Sequence, residues 1–344
     1  MPRTAKGSPT MLAVAEHAGV NKSTVSRILN DSYPKGFSVR PEVRERVLRA
    51  AKELSFKPNP FVRGLKAKRT KMVAMLGLRD FGWSSRGADE HAINAMIDAL
   101  ADADYEVCTT FIKPGNPDFQ PPRWRVDAAV VVGNSSAEQV SELDQSGIPY
   151  VTVNGPAGPA GGSVIVDDAH GAESAVRKLI ELGHTRIAYL YSAFDATPPA
   201  AGRVAHASEI DRRDAYVAAM QEAGLEPVAG YDRTDWTAEQ AIEQIVVRDK
   251  ATAVLSYHHV MAVQHVAAIQ RTGRRVPDDV SVLCFNDAFP TAEMHPSLTA
   301  MSLPGEAMGR EAARMILDMI EGGTPKQMLF SESLILREST ARCR

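Results

Sequence analysis

Short hydroxyl and cationic side chains are concentrated in one stretch near the N-terminus. They are Lys22, Ser23, Thr24, Ser26 and Arg27. Side chains of these types donate hydrogen bonds to base edges and to phosphate oxygens. The alternative for Thr24 and Ser26 is a bond to the local backbone. The alternative for Arg27 is a surface ion pair with Glu16 or Asp31. The stretch is therefore a candidate nucleic-acid-binding element.

Helical periodicity places this stretch on the second of two short helices. The apolar residues that recur at helical spacing before it are Leu12, Val14, Ala15 and Ala18. Gly19 ends that first helix, and Asn21 is a suitable N-cap for the second. In the second helix, Val25 and either Ile28 or Leu29 face inward. Two short helices joined by a glycine turn predict a helix-turn-helix.

A third amphipathic helix is predicted over residues 41–54. Its apolar stripe consists of Val43, Val47, Ala50, Ala51 and Leu54. The charge of this end is distinctive, because residues 1–71 contain 16 lysines and arginines against 5 aspartates and glutamates. The remaining residues contain 23 against 37. A basic end on an acidic body indicates that this end meets a polyanion, the alternative being a solvated basic tail.

The strings AEHAGVNKSTVSRILN and VRERVLRAAKELSFKPNPFVRGL resemble the DNA-binding headpiece of the LacI/GalR repressor family. The resemblance implies major-groove base contacts from Lys22, Ser23 and Arg27. It implies phosphate contacts from Thr10, Asn21, Thr24, Ser26 and Asn30. The chain departs from the family pattern at Asn21, where serine is usual, and at Ala13, where aspartate is usual. The loop 31–38 is longer than the common form, which leaves its path open.

The segment KPNPFVRGLK, residues 57–66, follows the third helix. It is too short to be a stable free helix in water. By the resemblance it is a hinge helix that pairs with its copy in a dimer and enters the minor groove. Leu65 then wedges between base steps and Lys66 contacts the groove. The alternative is a plain interdomain linker.

From residue 71 onward, short apolar strands alternate with amphipathic helices. Strands are predicted at 72–78, 105–111, 127–133, 148–154, 163–168, 186–192, 227–231, 251–257 and 280–286. Helices are predicted at 86–103, 137–146, 169–182, 212–223, 237–248, 260–272 and 305–320. Repeated βα units imply parallel sheets covered by helices. Prolines argue against a helix at 112–125, and no GxGxxG or GxxxxGK[ST] motif follows a strand.

The segments SVIVDDAHGAESAVRKLIELGHTRIAYL, RTGRRVPDDVSVLCFND, HPSLTAMSLP and LREST extend the resemblance over nearly the whole chain. It implies a small all-α helix-turn-helix headpiece followed by an α/β core of two Rossmann-like subdomains, as in periplasmic binding proteins. The expected limits are 1–57 for the headpiece, 58–70 for the hinge and 71–344 for the effector-binding and dimerisation core. The N-subdomain is expected at 71–163 and 298–326, and the C-subdomain at 164–297 and 327–344.

By the same resemblance, a small-molecule effector binds in the cleft between the subdomains. The expected lining residues are Arg212, Trp236, His258, Asn286, Phe81 and Trp83. Arg212 would hold a carboxylate or two hydroxyls in a bidentate grip, and Trp236 would stack on a ring. The alternatives are a surface ion pair of Arg212 with Glu209 or Asp211, and core packing for the aromatic residues.

His258 and Asn286 stand where the family commonly has asparagine and aspartate, so one anionic acceptor is lost. Together with Arg212, this predicts a neutral to positive cleft. The expected effector is a sugar or an acidic sugar derivative. The spacing of the histidines around His258 matches no zinc pattern, and no GxSxG motif is present. No metal, cofactor or enzymatic activity is therefore predicted.

Composition and cysteine usage exclude several classes. With 44% apolar and 24% charged residues, the chain is not a collagen, a coiled coil or a disordered chain. The apolar run at 128–132 is far shorter than the ~20 residues of a membrane helix, and no secretory signal is predicted. Cys108, Cys284 and Cys343 form no disulfide framework. These features predict a cytoplasmic protein, located at the nucleoid when bound to DNA, with no membrane partner.

The sequence predicts a transcriptional regulator, most simply a repressor, whose operator affinity responds to a small metabolite. A homodimer would place one headpiece on each half of a pseudo-palindromic double-stranded operator. Two other interpretations stay open. The first is a cytoplasmic solute-binding protein or sugar-metabolising enzyme without specific DNA recognition. The second is an activator or a ligand-independent repressor.

Overall fold

The chain divides into two units between Lys71 and Met72. The computed structural model describes residues 9–29, 38–56, 69–76, 89–110, 126–133, 135–191 and 206–344. Outside these ranges lie the predicted site residues Asn30, Leu65, Lys66, Phe81 and Trp83, together with residues 31–37, 57–64 and 111–125. The predictions for those residues therefore stay predictions.

Three short helices form the described part of the first unit. They are α1 (Met11–Ala18), α2 (Lys22–Leu29) and α3 (Pro41–Glu53). Their shared core consists of Val14, Ala15, Ala18, Val25, Ile28, Val47, Ala50 and Ala51. Leu12, grouped with Val14, Ala15 and Ala18 by helical spacing, lies outside this core and is 54% exposed. Leu12 precedes Val14 by two residues, which is a rotation of about 200° around the helix. Leu12 therefore lies off the buried stripe.

The helix-turn-helix is fixed by the residues at its helix ends. Thr10 caps α1, and its Oγ1 accepts from the Ala13 amide at 3.2 Å. Gly19 ends α1 at a φ of 62°, a left-handed conformation that a residue with a side chain adopts only with strain. The Asn21 carbonyl then accepts from the Thr24 amide at 2.9 Å and starts α2. The predicted helix-turn-helix is therefore confirmed.

A six-stranded parallel sheet forms the first subdomain of the second unit. Its strands are β1 (Met72–Leu76), β2 (Glu106–Thr110), β3 (Ala128–Val132), β4 (Tyr150–Val153), β5 (Gly161–Val166) and β10 (Gln327–Phe330). Their order is β10-β5-β4-β3-β1-β2. Helices α4 (Asp89–Asp102) and α10 (Gly305–Ile320) cover one face, and α5 (Ala137–Ser146) covers the other. Covering both faces explains why the central strands are apolar throughout.

A five-stranded sheet forms the second subdomain. Its strands are β6 (Ile187–Leu190), β7 (Ala253–Ser256), β8 (Ser281–Phe285), β9 (Thr299–Ser302) and β11 (Ser333–Ile335), in the order β11-β9-β8-β7-β6 with β11 antiparallel. Helices α6 (Asp168–Glu181) and α7 (Ala207–Glu222) pack on one face. Helices α8 (Ala238–Ile242), continued as a π-helix over Glu243–Arg248, and α9 (His259–Arg271) pack on the other. None of the helices in the described ranges is long and apolar enough to cross a membrane.

Three segments connect the two subdomains. The chain crosses at Asp167 between β5 and α6, at residues 303–304 between β9 and α10, and at residues 331–332 between β10 and β11. Strand pairing differs from the expected limits, because β9 lies in the second sheet and β10 in the first. The limit at 163 also divides β5, which lies wholly in the first sheet. Hydropathy locates a strand without revealing its pairing partner, and the partner decides the subdomain.

The strand predicted at 227–231 is wrong, because these residues form an irregular turn after α7. Gly230 has a φ of 100°, which interrupts extended backbone. The Val228 amide donates to the Tyr216 hydroxyl at 3.0 Å instead of to a neighbouring strand. Val228 is therefore buried in the cluster formed with α8 and α9, and Tyr231 packs against Tyr216 of α7, without sheet pairing.

Candidate DNA-reading helix and effector junction

The side chains predicted to contact DNA lie on the outer part of the helix-turn-helix. On α2, Val25 and Ile28 point into the core, whereas Lys22 and Ser23 are exposed and Arg27 is half-buried. Among the predicted phosphate contacts, Thr10 and Asn21 are exposed, and Thr24 and Ser26 are half-buried. The packing of α2 thus leaves its donors at the surface, where base edges and phosphates could reach them.

Arg212 is buried at the junction between the subdomains. Its side chain on α7 is 3% exposed, and Nε donates to Oδ1 of Asp168 at 2.6 Å. Nη2 donates to Oε1 of Glu332 at 3.4 Å. Asp168 begins α6 directly after one crossing, and Glu332 lies on another. The alternative of a surface ion pair with Glu209 or Asp211 is therefore wrong. We call Arg212, Asp168, Glu332 and Asn286 the Arg212 cluster.

The N–H groups of Arg212 are almost all used within the protein. A guanidinium has five N–H donors, of which Nε has one and each terminal nitrogen has two. Nη1 donates to the Tyr257 carbonyl at 3.0 Å, and Nη2 also lies 3.4 Å from Oδ1 of Asn286. With Asp168 and Glu332 as further acceptors, at most one N–H on Nη1 remains. The bidentate grip on an effector that the sequence suggested has no pair of donors in this arrangement.

The Arg212 cluster holds one cation and two carboxylates. The Glu332 side chain is 0% exposed, and its Oε2 has no hydrogen-bond partner among the described residues. Burial raises the pKa of Glu332 to about 7, although the Arg212 guanidinium acts in the opposite direction. Asp168 and Asp167 raise this pKa further through like-charge repulsion. The cluster therefore has no spare positive charge.

Asn286 belongs to this cluster and His258 lies close to it, whereas effector binding by either residue stays a prediction. Asn286 follows β8 at a φ of 66°, a left-handed conformation that asparagine tolerates better than most residues. His258 caps α9, and its Nδ1 accepts from the Val260 amide at 3.3 Å. Burial, with added repulsion from His259 and Arg212, lowers the pKa of His258 to about 3. The ring is therefore neutral at pH 7, and Nε2 carries its proton.

Trp236 packs mainly as a core residue of the second subdomain. Its ring occupies the space beside Gly230, where a Cβ would lie 2.8 Å from the indole, and the Arg233 guanidinium lies 5.0 Å from the ring centroid. The ring is half-buried against the cluster formed by α8 and α9. Core packing, the alternative noted for this residue, therefore accounts for these contacts. Ring stacking on an effector stays a prediction.

A cavity of about 270 Å³ lies beside the cluster, with walls from both subdomains. We call it the junction cavity. Its polar lining comprises Asn154, Ser163, Asp168, His206, Asp211 and Gln327, and its apolar lining includes Pro156, Ile165 and Val166. The His206 ring joins the subdomains, because Nδ1 accepts from the Ser208 amide at 3.2 Å and Nε2 donates to the Asn154 carbonyl at 2.7 Å.

Sequence reasoning missed Asp168, Glu332 and His206 as site residues. Asp168 had a usable signal, since it stands at the carboxyl end of an apolar strand, where ligands of parallel sheets bind. Glu332 and His206 had none, because each lies in an irregular segment and reaches the junction through tertiary packing alone. Among the residues that the structure describes, no three His, Cys, Asp or Glu side chains are grouped to hold a metal ion.

Two family models match the chain. Residues 10–59 match the lacI family of bacterial regulatory proteins, and residues 176–340 match a periplasmic binding protein-like domain. The transcriptional regulator CelR of Thermobifida fusca is 30% identical over 354 residues, covering 96% of this chain and 98% of CelR. The transcriptional repressor PurR of Photobacterium profundum is 24% identical over 347 residues, covering 96% of this chain and 98% of PurR. Both relatives are transcriptional regulators.

Solved structures agree with these matches. A complex of CelR with cellobiose superposes with a TM-score of 0.64 at 27% identity, covering 96% of this chain and 99% of CelR. The lac repressor dimer bound to operator and the anti-inducer ONPF superposes with a TM-score of 0.78 at 21% identity. The match covers 97% of this chain and 99% of the lac repressor chain, and it supports the fold alone. The chain therefore belongs to the LacI family of bacterial DNA-binding transcriptional regulators.

Proposed function

We propose that the protein is a repressor that binds a pseudo-palindromic operator as a homodimer and responds to a small carbohydrate. Binding of the carbohydrate between the subdomains would alter the crossing segments and, through them, the grip of the two headpieces on DNA. Coupling of this kind between two sites is typically worth ~1–3 kcal/mol. The protein would act in the cytoplasm, on the chromosome.

The observation that carries the proposal is the arrangement of α2. Val25 and Ile28 anchor the helix in the headpiece core, and this packing leaves Lys22 and Ser23 exposed. An exposed row of donors on the second helix of a helix-turn-helix suits the major groove. Base contacts from Lys22, Ser23 and Arg27 are part of the proposal, as is minor-groove insertion of Leu65.

The carbohydrate part of the proposal rests on the junction. Its polar lining consists mainly of amides, carboxylates and an imidazole, groups that hydrogen-bond to hydroxyls. The regulator CelR, 30% identical to this chain, has been solved with cellobiose. An acidic sugar derivative loses its support, since the positive charge of Arg212 is matched by Asp168 and Glu332. We therefore propose a neutral sugar, with Asn154, Ser163 and Gln327 as polar groups of the cavity lining. Contacts of the sugar with Asn286 and His258, which lie outside that lining, are a further part of the proposal.

The rival functions lack a comparable observation. A solute-binding protein or a sugar-metabolising enzyme would have no use for the donor row on α2. An activator or a ligand-independent repressor would use the same donors on α2. It would differ from a ligand-responsive repressor only in its effect on transcription after it binds DNA. Reporter output with and without candidate sugars separates these two from a ligand-responsive repressor.

The test is selection of bound sequences from a random duplex pool with the full-length protein, followed by anisotropy titration of the selected duplex over a range of salt concentrations. We expect a pseudo-palindromic site and a steep fall in affinity with salt, because cationic contacts to phosphate release counterions. Lys22→Ala should weaken binding, whereas Arg314→Ala, an exposed arginine on α10, serves as the matched control. Absence of binding to any duplex at modest ionic strength would contradict the proposal.

A further inference from the structure

Glu332 adds a second carboxylate to a buried arginine that Asp168 already neutralises. We propose that Glu332, together with Asp168, sets the charge specificity of the effector junction by excluding anionic effectors. The inference rests on the proposed function in one respect, namely that the effector enters this junction. It assigns a specificity-determining role to a residue on the crossing between β10 and β11.

The first step concerns the donors. An anion such as a carboxylate or phosphate needs two parallel N–H groups for the bidentate contact that makes arginine selective for it. Asp168 takes Nε and Glu332 shares Nη2, and at most one N–H of Arg212 remains for another acceptor. An anionic effector would therefore have to displace one of these carboxylates to reach the guanidinium.

The second step concerns the charge that faces Glu332. Glu332 faces Arg212 of α7, and Asp167 and Asp168 at the start of α6. Asn286, which follows β8, lies near Glu332 because both contact Arg212. These groups sum to one positive and three negative formal charges when Glu332 is ionised, and to one positive and two negative when it is protonated. Repulsion is poorly screened where water is excluded, so an added anion meets a net negative site.

The third step concerns the junction cavity, which adjoins the cluster. Asp168 and Asp211 both line it, whereas no lysine or arginine does so among the described residues. Burial and repulsion from Asp168 raise the pKa of Asp211, the behaviour of a carboxylate in a negative environment. An effector that approaches through this cavity therefore meets the same sign of charge as at Arg212.

The experiment compares the full-length wild type with Glu332→Gln and with Asp168→Asn/Glu332→Gln. The probes are matched pairs of a neutral sugar and its acid, cellobiose with cellobionate and glucose with gluconate, and binding is measured by calorimetry. We expect the wild type to bind the neutral member at least tenfold more tightly. Glu332→Gln should narrow this ratio severalfold, and the double variant should reverse it. A wild-type ratio near one, or a ratio that neither variant changes, would overturn the inference.

If no sugar binds, the carbohydrate proposal is contradicted but the inference on charge specificity is not. A second measurement then tests that inference. The probe is then inorganic phosphate, and the measurement is the thermal midpoint of the second unit. Phosphate should raise the midpoint of the double variant more than that of the wild type. The control is Asp279→Asn/Glu338→Gln, which removes two exposed carboxylates and the same net charge. Equal shifts in the wild type and the double variant would overturn the inference.

Glu332→Gln alone keeps the pair between Asp168 and Arg212, and thus provides a folded variant for both measurements.

Discussion

Gly171 on α6 lies against the carboxylate of Glu332, and a Cβ at residue 171 would overlap Oε2. Glu332 cannot easily move away, because its side chain is fully buried and Oε1 accepts from Arg212. Glycine is costly within a helix, by about 1 kcal/mol relative to alanine. The position is therefore explained by the space that Glu332 needs and not by the helix itself.

Gly171→Ala should lower the free energy of unfolding by about 1–3 kcal/mol, because overpacking outweighs the gain in helix propensity. In a Glu332→Ala background the same substitution should be neutral or stabilising. Urea unfolding followed by tryptophan fluorescence measures this, since all three tryptophans belong to the second unit. Equal effects of Gly171→Ala in the two backgrounds would show that the two residues do not interact.

Glu332 should make stability depend on pH in the sense opposite to a surface carboxylate. Its folded pKa of about 7 lies above its ordinary value of 4.5, so the folded state binds the proton more tightly. The stabilising contribution is fully present below pH 4.5 and is lost as the pH rises through 7. The difference in free energy of unfolding between Glu332→Gln and the wild type should therefore shift by about 3 kcal/mol in favour of the variant between pH 4.5 and 8. The exposed control Glu222→Gln should show no such gain when urea unfolding is repeated across this range.

Much of the framework was predictable from the sequence, because local periodicity determined it. The inward positions of Val25 and Ile28 and the left-handed Gly19 follow from helical spacing and from the conformational freedom of glycine. The alternation of strands and helices likewise indicated the correct fold class. Leu12 shows where such spacing is insufficient, since it was grouped with Val14, Ala15 and Ala18 although it is exposed in the folded headpiece.

The arrangement at the junction was not predictable in the same way. The sequence placed Arg212 and Asn286 near each other, and the structure brings them within 3.4 Å. It could not reveal that Arg212 is neutralised, because Glu332 follows Arg212 by 120 residues and reaches it only after β10 joins the first sheet. The prediction of a neutral to positive cleft therefore left these two carboxylates out of account. Long-range pairing of strands decides such contacts, and a single sequence carries little information about it.

Arg212→Met should destabilise the second unit by about 3–5 kcal/mol, because it leaves the carboxylates of Asp168 and Glu332 buried without their cation. Adding Asp168→Asn and Glu332→Gln to the same chain should recover most of this loss. Thermal unfolding of the single and triple variants measures the difference. A single variant as stable as the wild type would show that the junction opens to solvent and solvates both carboxylates. A lost effector response in Arg212→Met is informative only once its folding has been measured.

Arg27→Ala tests whether the half-buried arginine of α2 reads bases. We expect a loss of ~1–3 kcal/mol at the selected operator and a relaxed preference at one base pair of each half-site, because a bidentate contact to guanine is the usual role of such a residue. Binding to an unrelated duplex should change little. Anisotropy titrations of both duplexes, with Arg314→Ala as the control, provide the measurement. Equal weakening on the two duplexes would indicate a phosphate contact. No change on either would favour the surface ion pair with Glu16 or Asp31, since Arg27 would then be occupied within the headpiece.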